Sequence, residues 1–287
     1  MNIEVFVVNS FAKNQDGGNP AGVVLGLDCS EQCMLDIARE AGFSETAFLN
    51  KIDEKHYEIR YFTPSAEVDL CGHATIAAFY LLKNKNMIID GSYKLNTKAG
   101  EIDIKIQKDN VFMTQNLPEY SEIVSQNEIL RALNLKKEDL IEDLPAQVVS
   151  TGLRDIIIPV KHLETLLNMK PNFDVISELS KKYNTIGVHA FTPETMFYAA
   201  AHCRNFAPLY EIPEESATGT ASGALSCYLF KYGQINRQTA KKLIFEQGYS
   251  MNKPSEILAS LDFDNEQITS VNVGGTALLA QSEIIRL

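Results

Sequence analysis

The sequence repeats itself in order, at a spacing of about half of its 287 residues. The segment Arg60-Tyr61-Phe62-Thr63-Pro64 is echoed by Arg204-Asn205-Phe206-Ala207-Pro208, at an offset of 144. The turn Gly72-His73-Ala74-Thr75 is echoed by Gly219-Thr220-Ala221-Ser222, at an offset of 147. Short matches of small residues arise by chance, but the shared order and near-constant offset favour duplication. We therefore predict that the chain contains two copies of one unit.

Each copy is predicted to combine strands with one buried helix. Residues 3–8 and 57–62 are rich in β-branched and aromatic residues, and residues 102–106 alternate apolar with charged side chains, as strands do. Residues 74–82 and 223–230, which follow the two turns, are apolar nearly all round, which is typical of helices buried on most sides. The pattern predicts α+β units, each with a curved sheet wrapped around its own helix.

Two further helices are predicted to lie at the surface. Residues 29–41 have apolar side chains at helical spacing behind Ser30, a suitable N-cap. Residues 126–141 have a similar spacing, and we interpret their charged run at 136–139 as a solvated helical face rather than a partner site.

Charge and cysteine content exclude several function classes. The chain has 26 basic and 37 acidic residues, a net charge of −11, and would repel nucleic-acid phosphates and anionic membranes. No apolar run approaches the roughly 18 residues of a membrane span, and the N-terminus lacks the pattern of a secretory signal. Five scattered cysteines indicate reduced thiols. We expect a soluble, cytoplasmic protein with no nucleic-acid or membrane partner.

The two Gly-polar turns predict where a ligand binds. They open the buried helices, and free N–H groups at a helix N-terminus favour a carboxylate or another anion. Two such helix starts could bind an anionic substrate despite the net charge of −11. We expect the site between the two units, because domain interfaces favour pockets.

Glu45 is the first candidate for chemistry. Its neighbours Phe43, Ala47 and Phe48 could raise its pKa toward neutrality and make it a proton shuttle. The alternative is a solvent-facing strand residue. The echo of this segment, at residues 187–191, contains no Glu, which favours one catalytic site per chain.

The remaining polar candidates have two interpretations each. His73 follows Cys71 and Gly72, and is either a polar residue at a helix start or a functional one. No metal site is predicted, since no second ligand stands at zinc spacing from His73. Glu214 and Glu215 precede the second turn, where acids ordinarily complement a helix dipole. Cys29 and Cys33 are interpreted as packing residues.

The ordered set of motifs resembles the PhzF (phenazine biosynthesis-like) family of the diaminopimelate epimerase-like superfamily. The matching segments run from residue 18 to residue 277 and are Gly18-Asn19-Pro20-Ala21-Gly22, Ser44-Glu45-Thr46-Ala47-Phe48, Arg60-Tyr61-Phe62-Thr63-Pro64, Glu67-Val68-Asp69-Leu70-Cys71-Gly72-His73-Ala74-Thr75, Thr151-Gly152-Leu153-Arg154-Asp155, Ala217-Thr218-Gly219-Thr220-Ala221, Phe245-Glu246-Gln247-Gly248 and Val273-Gly274-Gly275-Thr276-Ala277. Each motif is weak singly, and the ordered set is specific.

The resemblance implies a duplicated diaminopimelate epimerase-like fold, with two similar domains that each roll a sheet around a central helix. On this basis we place the domains at residues 1–118 and 119–275, with a strand near 276–287 returning to the first. The resemblance also implies a homodimer and a site without cofactor or metal. The characterised member isomerises trans-2,3-dihydro-3-hydroxyanthranilate by moving a proton within its ring.

The resemblance also assigns site residues. The family's essential glutamate matches Glu45, and its substrate-contacting histidine matches His73. Its aspartate before the second turn falls at Glu215, and its turn residues fall at Gly219 and Thr220. Gly72 and Asn19 complete the expected substrate-binding set. Two positions depart from the family pattern, because Glu215 stands where Asp is usual and Lys253 stands where Arg is usual.

The expected function is a cofactor-independent isomerisation of a small cyclic or amino-acid-like carboxylate, with Glu45 as general acid and base. One alternative is a racemase or dehydratase. Two-base relatives carry a Cys before the Gly of each turn, and this chain has Cys71 in the first place and Thr218 in the second. Another alternative is a binding protein without catalysis.

Overall fold

The computed structural model describes residues 2–286, which divide into two compact units. Unit 1 comprises residues 2–114 and 274–286, and unit 2 comprises Gln115–Val273. No helix within residues 2–286 is long and apolar enough to cross a membrane.

The elements follow in chain order. Residues 2–115 form strands β1 (Asn2–Ser10), β2 (Asn19–Leu25), β3 (Thr46–Lys51), β4 (His56–Phe62), β5 (Glu67–Val68), β6 (Gly91–Thr97), β7 (Gly100–Gln107) and β8 (Asn110–Gln115), with helices α1 (Glu31–Ala41) and α2 (Gly72–Asn84). Residues 119–275 form strands β9 (Glu119–Ile123), β10 (Gln147–Ser150), β11 (Arg154–Pro159), β12 (Gly187–Thr192), β13 (Ala201–Ala207), β14 (Ile212–Glu215), β15 (Leu243–Gln247), β16 (Ser255–Asp264) and β17 (Gln267–Gly275), with helices α3 (Gln126–Leu133), α4 (Leu163–Asn168), α5 (Phe173–Tyr183) and α6 (Gly219–Lys231). Strand β18 (Ala277–Arg286) follows, and single 3₁₀ turns lie at Lys137–Asp139, Pro208–Tyr210, Thr239–Lys241 and Tyr249–Met251.

Unit 1 is a mixed sheet that packs on helix α2. Strand β1 pairs antiparallel with β18 and β2, and β2 pairs parallel with β3. Strand β4 then pairs antiparallel with β3 and parallel with β6, and β7 continues antiparallel to β6 and β8. Helix α2 packs against β1, β2 and β3, and residues 73–79 of it are all buried, because its sequence is apolar on every side.

Unit 2 repeats this pairing. Strand β11 pairs antiparallel with β10 and parallel with β12, as β2 pairs with β1 and β3. Strand β13 pairs antiparallel with β12 and parallel with β15, as β4 pairs with β3 and β6. Helix α6 packs against β10, β11 and β16.

Equivalent side chains confirm that the two units are copies. Arg60 on β4 makes a two-pronged contact with Glu67, with Nε–Oε1 at 2.6 Å and Nη2–Oε2 at 2.8 Å. Arg204 on β13 makes the same contact with Glu214, at 2.8 and 2.7 Å. Each guanidinium also lies over the phenylalanine two residues along its own strand, at 5.1 and 4.9 Å from the ring centre. The predicted α+β duplication is therefore confirmed.

The surface helices were predicted with mixed success. Helix α1 begins as expected, because the Ser30 side chain accepts a hydrogen bond from the N–H of Cys33. The helix predicted over 126–141 ends instead at Leu133, because Asn134 adopts a left-handed conformation with φ 51°. The prediction of one helix to residue 141 is therefore wrong, although Lys136, Lys137 and Glu138 are exposed as expected.

Candidate active site

Three reactive side chains meet at the start of α2 in unit 1. Glu45 directly precedes β3, Cys71 is the N-cap of α2, and His73 is the second residue of that helix. Nε2 of His73 lies 3.2 Å from Oε2 of Glu45, and Nδ1 of His73 lies 3.5 Å from Sγ of Cys71. The parallel pairing of β2 with β3 and the docking of α2 thus bring together residues that are 28 positions apart in the chain.

Hydrogen bonds fix the backbone on both sides of this cluster. The hydroxyl of Ser10 donates to the carbonyl of His73 at 2.6 Å, and the hydroxyl of Thr75 donates to the carbonyl of Cys71 at 2.7 Å. The N–H of Gly22 donates to the carbonyl of Glu45 at 3.1 Å. The catalytic candidates therefore project from a rigid framework, which preorganised chemistry requires.

Glu45 and His73 form a charged pair. Burial alone would raise the pKa of Glu45, but the hydrogen bond with His73 and its charge outweigh burial and lower that pKa. Burial would likewise lower the pKa of His73, but Cys71 and Glu45 raise it well above its usual value. The resting site thus holds a carboxylate beside an imidazolium. The expectation that apolar neighbours raise the pKa of Glu45 is wrong, because it omitted His73.

The Glu45 side chain is only 14% exposed, so the interpretation as a solvent-facing strand residue is also wrong. Its Oε2 is buried and lies 3.2 Å from Nε2 of His73. This oxygen keeps a lone pair available to accept a proton. A carboxylate with these properties is suited to act as a general base.

The same three residues offer one nitrogen, one sulfur and one oxygen within 4.8 Å of one another, a group able to hold a metal ion. Metal binding requires neutral imidazole and thiolate. The pKa of His73 is raised, and burial and the charge of Glu45 raise the pKa of Cys71. A metal ion bound here would therefore have to displace a proton from each of these two residues. Zinc-type sequence spacing missed the cluster because Glu45 is distant in the chain.

Two further predicted substrate-binding residues, Asn19 and Gly72, lie on different elements near this cluster. Asn19 is 7% exposed at the start of β2 and lies opposite Ser10 in the pairing with β1. Gly72 is the first residue of α2, and a Cβ added there would meet only Sδ of Met113 at 3.6 Å. Asn19 thus lies beside the residue that fixes His73, and Gly72 lies within the cluster.

In unit 2, the start of α6 holds a second polar group. The Thr218 hydroxyl donates to Oε2 of Glu215 at 2.5 Å. The Gln247 side chain donates to the carbonyl of Glu215 at 2.8 Å and accepts from the N–H of Thr218 at 3.2 Å. Gly219 and Thr220 form the first turn of α6. Glu215 is thus held at the helix start, whereas Glu214 binds Arg204 instead.

Three further polar residues of unit 2 were missed by sequence reasoning. Asp155, His189 and Asn205 are all buried, at 2%, 0% and 2% exposure. Burial, followed by the charge of Glu215, raises the pKa of Asp155 to about 7. The sequence signal that could have identified Asp155 is its place directly before the apolar run Ile156-Ile157-Ile158, because a charged residue is unusual in a strand of the core.

Known proteins resemble this chain over its whole length. The model of the PhzC-PhzF family, described as phenazine biosynthesis-like protein, matches residues 8–282. The protein named "Uncharacterized isomerase YfhB" from Bacillus subtilis is 36% identical, with 99% of each chain covered. The protein named "Uncharacterized isomerase YddE" from Escherichia coli K12 is 31% identical, with 97% of each chain covered.

Solved structures agree with this assignment. A PhzF-family phenazine biosynthesis protein from Bacillus anthracis superimposes with a TM-score of 0.90, at 30% identity and 100% coverage of each chain. A hydroxyproline epimerase from Agrobacterium vitis shares the fold, with a TM-score of 0.65 at 12% identity and coverage of 100% of this chain and 93% of its own. The duplicated fold, the family match and the named relatives lead to one conclusion: this chain is an isomerase that belongs to the phenazine biosynthesis-like PhzC-PhzF family.

Proposed function

We propose that the protein moves a proton within a small cyclic or amino-acid-like carboxylate, with Glu45 as the general acid and base. The observation that carries this proposal is the pair of Glu45 and His73, in which Nε2 of the buried His73 lies 3.2 Å from Oε2 of Glu45. Glu45 is ionised at rest and can accept a proton without first losing one.

The proton moves in two steps. Oε2 of Glu45 first removes a proton from a carbon of the substrate, which leaves a neutral Glu45 and a delocalised negative charge on the substrate. Glu45 then delivers a proton to another atom of that substrate, so the enzyme ends as it began. While Glu45 is protonated, its carboxyl proton can exchange with solvent, so a substrate turned over in D₂O acquires deuterium. The imidazolium of His73 and the free N–H groups at the start of α2, including that of Gly72, stabilise the negative charge between the two steps.

Substrate recognition is proposed to use the polar groups at the starts of helices α2 and α6. In unit 1, Asn19, Gly72 and His73 are placed to bind oxygen atoms of a carboxylate. In unit 2, the N–H groups at Gly219 and Thr220 suit an anionic group, because they begin a helix of 13 residues. Glu215 suits a hydrogen-bond-donating group, since an ionised carboxylate only accepts hydrogen bonds.

A racemase or dehydratase is the second candidate, and one observation favours it. Cys71 and Thr218 are the N-caps of α2 and α6, the equivalent places of the two units. Against Cys71 as a base stands its raised pKa, which burial and the charge of Glu45 produce. A Cys-dependent reaction would need a group that removes the thiol proton first.

Deuterium exchange separates these candidates. The protein is incubated in D₂O with trans-2,3-dihydro-3-hydroxyanthranilate, L-proline or trans-4-hydroxy-L-proline, and incorporation of deuterium at carbon is followed by NMR. We expect exchange with wild type and with Cys71→Ala, and loss of at least 100-fold in Glu45→Gln, the scale of general acid-base catalysis. An active Glu45→Gln beside an inactive Cys71→Ala would overturn the proposal in favour of the second candidate.

A binding protein without catalysis would give a third pattern. The probe would then shift the melting temperature of the protein, and no variant would incorporate deuterium. This outcome contradicts the isomerase proposal directly.

A further inference from the structure

The cluster of Glu45, Cys71 and His73 has the donor atoms of a binding site for a divalent metal ion. One carboxylate oxygen, one sulfur and one ring nitrogen lie within 4.8 Å of one another. Nε2 of His73 is 3.2 Å from Oε2 of Glu45 and 3.9 Å from Sγ of Cys71. The ligand atoms of a tetrahedral zinc ion are about 3.3–3.6 Å apart, because its bonds to them are about 2.0–2.3 Å long. The nitrogen and the oxygen already have this spacing, so only the sulfur has to move closer.

The backbone behind the sulfur is held by a chain of buried hydroxyls. The hydroxyl of Thr75 donates to the carbonyl of Cys71 at 2.7 Å, and its oxygen accepts from the hydroxyl of Tyr61 at 2.6 Å. Tyr61 and Thr75 are both 0% exposed. Groups that orient the ligands from behind strengthen metal binding, because less order has to be imposed when the ion arrives.

Unit 2 shows that the fold does not require these donors. The three equivalent positions, found from the helix starts and the strand pairing, carry no sulfur, imidazole or carboxylate: they are Gly187, Thr218 and Thr220. The three donors are therefore particular to unit 1. The proposed proton transfer uses Glu45 and His73 but not Cys71, so it leaves the sulfur without a role.

The donor set favours ions of the zinc type over Mg²⁺ and Ca²⁺. Thiolate and imidazole are ligands that suit Zn²⁺ and Co²⁺, whereas Mg²⁺ and Ca²⁺ prefer oxygen. A Zn²⁺ ion that binds here displaces one proton from the ring of His73 and one from the thiol of Cys71, and both protons pass to the solvent. The two charges of the ion replace those of the two protons, so the net charge of the cluster does not change. Binding thus adds no unpaired charge to a mostly buried place.

We propose that Glu45, Cys71 and His73 form an inhibitory binding site for a divalent metal ion of the zinc type, which competes with the substrate. The metal binding is independent of the proposed function, whereas the inhibition rests on it, because it takes Glu45 to be the base. Once Glu45 is a ligand, its oxygen no longer accepts a proton from carbon. Once His73 is a ligand, it no longer brings the positive charge that stabilises the negative charge on the substrate.

The site also accounts for the role of each residue. Cys71 selects the ion, because sulfur is the donor that Mg²⁺ and Ca²⁺ do not favour. Glu45 is 14% exposed and is the most open of the three side chains, so an ion reaches the cluster from its side. Three protein ligands leave the fourth position of a tetrahedral ion to water. Inhibition is favoured over metal catalysis because the ion occupies the carboxylate that the proton transfer needs.

Cobalt absorption tests the site without any substrate. Co²⁺ is added to a parent variant in which the half-exposed thiols of Cys29 and Cys33 are both replaced by Ala. We expect a sulfur-to-cobalt charge-transfer band in the near ultraviolet, which Zn²⁺ abolishes by displacing Co²⁺ and which Mg²⁺ leaves unchanged. The band would come from Cys71, because the two other thiols, Cys203 and Cys227, are 0% exposed. A parent variant without this band would overturn the proposal.

Two further variants show which donors hold the ion. Cys71→Thr gives α2 the N-cap residue that α6 has at Thr218, where the backbone is nearly the same, with φ −138° and ψ 113° against φ −129° and ψ 98°. It should fold as the parent does, which circular dichroism checks, and it should lack the band. Loss of a residue that merely orients a ligand costs about 10–100-fold in metal affinity, so Cys71→Thr and Glu45→Gln should each bind Zn²⁺ at least about 10-fold more weakly. Competition with a zinc indicator dye measures this loss, and a band that persists in Cys71→Thr contradicts the assignment.

Deuterium exchange tests the inhibition. With a probe that the parent variant turns over, saturating Zn²⁺ should slow exchange by at least about 100-fold, the scale of general acid-base catalysis, and a chelator should restore the rate. Half-inhibition should need more Zn²⁺ as the probe concentration rises, and at least about 10-fold more in Cys71→Thr. Mg²⁺ should have no effect. Zn²⁺ that binds without slowing exchange, or that accelerates it, would refute the inhibitory role. If no probe exchanges even without metal, the proposed function fails, while the cobalt band still decides whether the cluster binds metal.

Discussion

Cys71 and Thr218 occupy the same place in two copies of one unit, the N-cap of the buried helix. Neither side chain caps its helix by a hydrogen bond. The Cys71 sulfur instead faces His73 at 3.5 Å, and the Thr218 hydroxyl donates to Glu215 at 2.5 Å. Duplication thus kept the backbone of the helix start and changed its chemistry, to an acid-imidazolium pair in unit 1 and an acid-hydroxyl pair in unit 2.

Replacement of His73 should change the pH dependence of catalysis. His73→Gln removes the hydrogen bond and the positive charge that lower the pKa of Glu45, and burial, which raises that pKa, remains. The base must be ionised to act, so the acid limb of the kcat/KM profile should move to higher pH in the variant. Deuterium exchange measured from pH 4 to pH 9 checks this shift, with Cys29→Ala as a control distant from His73 in sequence. An acid limb at the wild-type position would show that His73 does not tune Glu45.

Metal removal should leave activity unchanged. The cluster of Glu45, Cys71 and His73 offers three possible ligands, but His73 holds its proton and the pKa of Cys71 is raised by burial. We expect dialysis against a strong chelator to leave the exchange rate within twofold of the untreated enzyme. Loss of activity on dialysis, restored by Zn²⁺ and not by Mg²⁺, would instead establish a metal enzyme.

The pKa of Asp155 predicts how stability depends on pH. The pKa rises from 3.8 to about 7 on folding, so between these values the folded chain binds more protons than the unfolded chain. The contribution of this group to the free energy of unfolding therefore falls as pH rises from about 4 to 7, by up to about 4 kcal/mol. Urea denaturation of wild type and Asp155→Asn at several pH values isolates this contribution. Parallel stability curves would contradict the prediction.

More of the fold than of the candidate site could be predicted from the sequence. Helix α1 behind Ser30 and the buried helices α2 and α6 could be predicted, because hydrophobic periodicity and capping act over a few residues. The repeat could be predicted from the ordered matches between the two halves of the sequence. The direction of the pKa shift of Glu45 could not be predicted, because it depends on His73, which lies 28 residues away in the chain and on a different element. Asp155 was not predicted as a site residue for a similar reason. Its raised pKa depends partly on Glu215, which is 60 residues later in the chain and which strand register places on the same face of the sheet.

The two arginine-glutamate contacts should differ in their value for stability. The Arg204 side chain is 8% exposed and donates to the carbonyls of Leu166 and Met169 at 3.0 Å, besides Glu214. Arg204→Met leaves a mostly buried carboxylate and two carbonyls without this donor, and should cost about 3 kcal/mol or more. The matched variant Arg60→Met should cost about 1 kcal/mol, because Arg60 is 29% exposed and Lys98 still neutralises Glu67. Equal losses in urea denaturation would contradict this ranking.

Gly187 should tolerate no side chain, and Gly72 should tolerate a small one. A Cβ at Gly187 would overlap the carbonyl of Phe206 on the paired strand, and backbone of a central strand cannot move aside cheaply. Overpacking of this kind costs typically 1–3 kcal/mol and sometimes more, so Gly187→Ala should destabilise by at least about 2 kcal/mol. Gly72→Ala adds only an ordinary contact with Met113 at 3.6 Å and should change stability by less than about 1 kcal/mol. Strand pairing makes Gly187 the equivalent of Glu45, since Gly187 precedes Val188 as Glu45 precedes Thr46. A stable Gly187→Ala would therefore show that steric overlap is not the reason why unit 2 has no acid at this position.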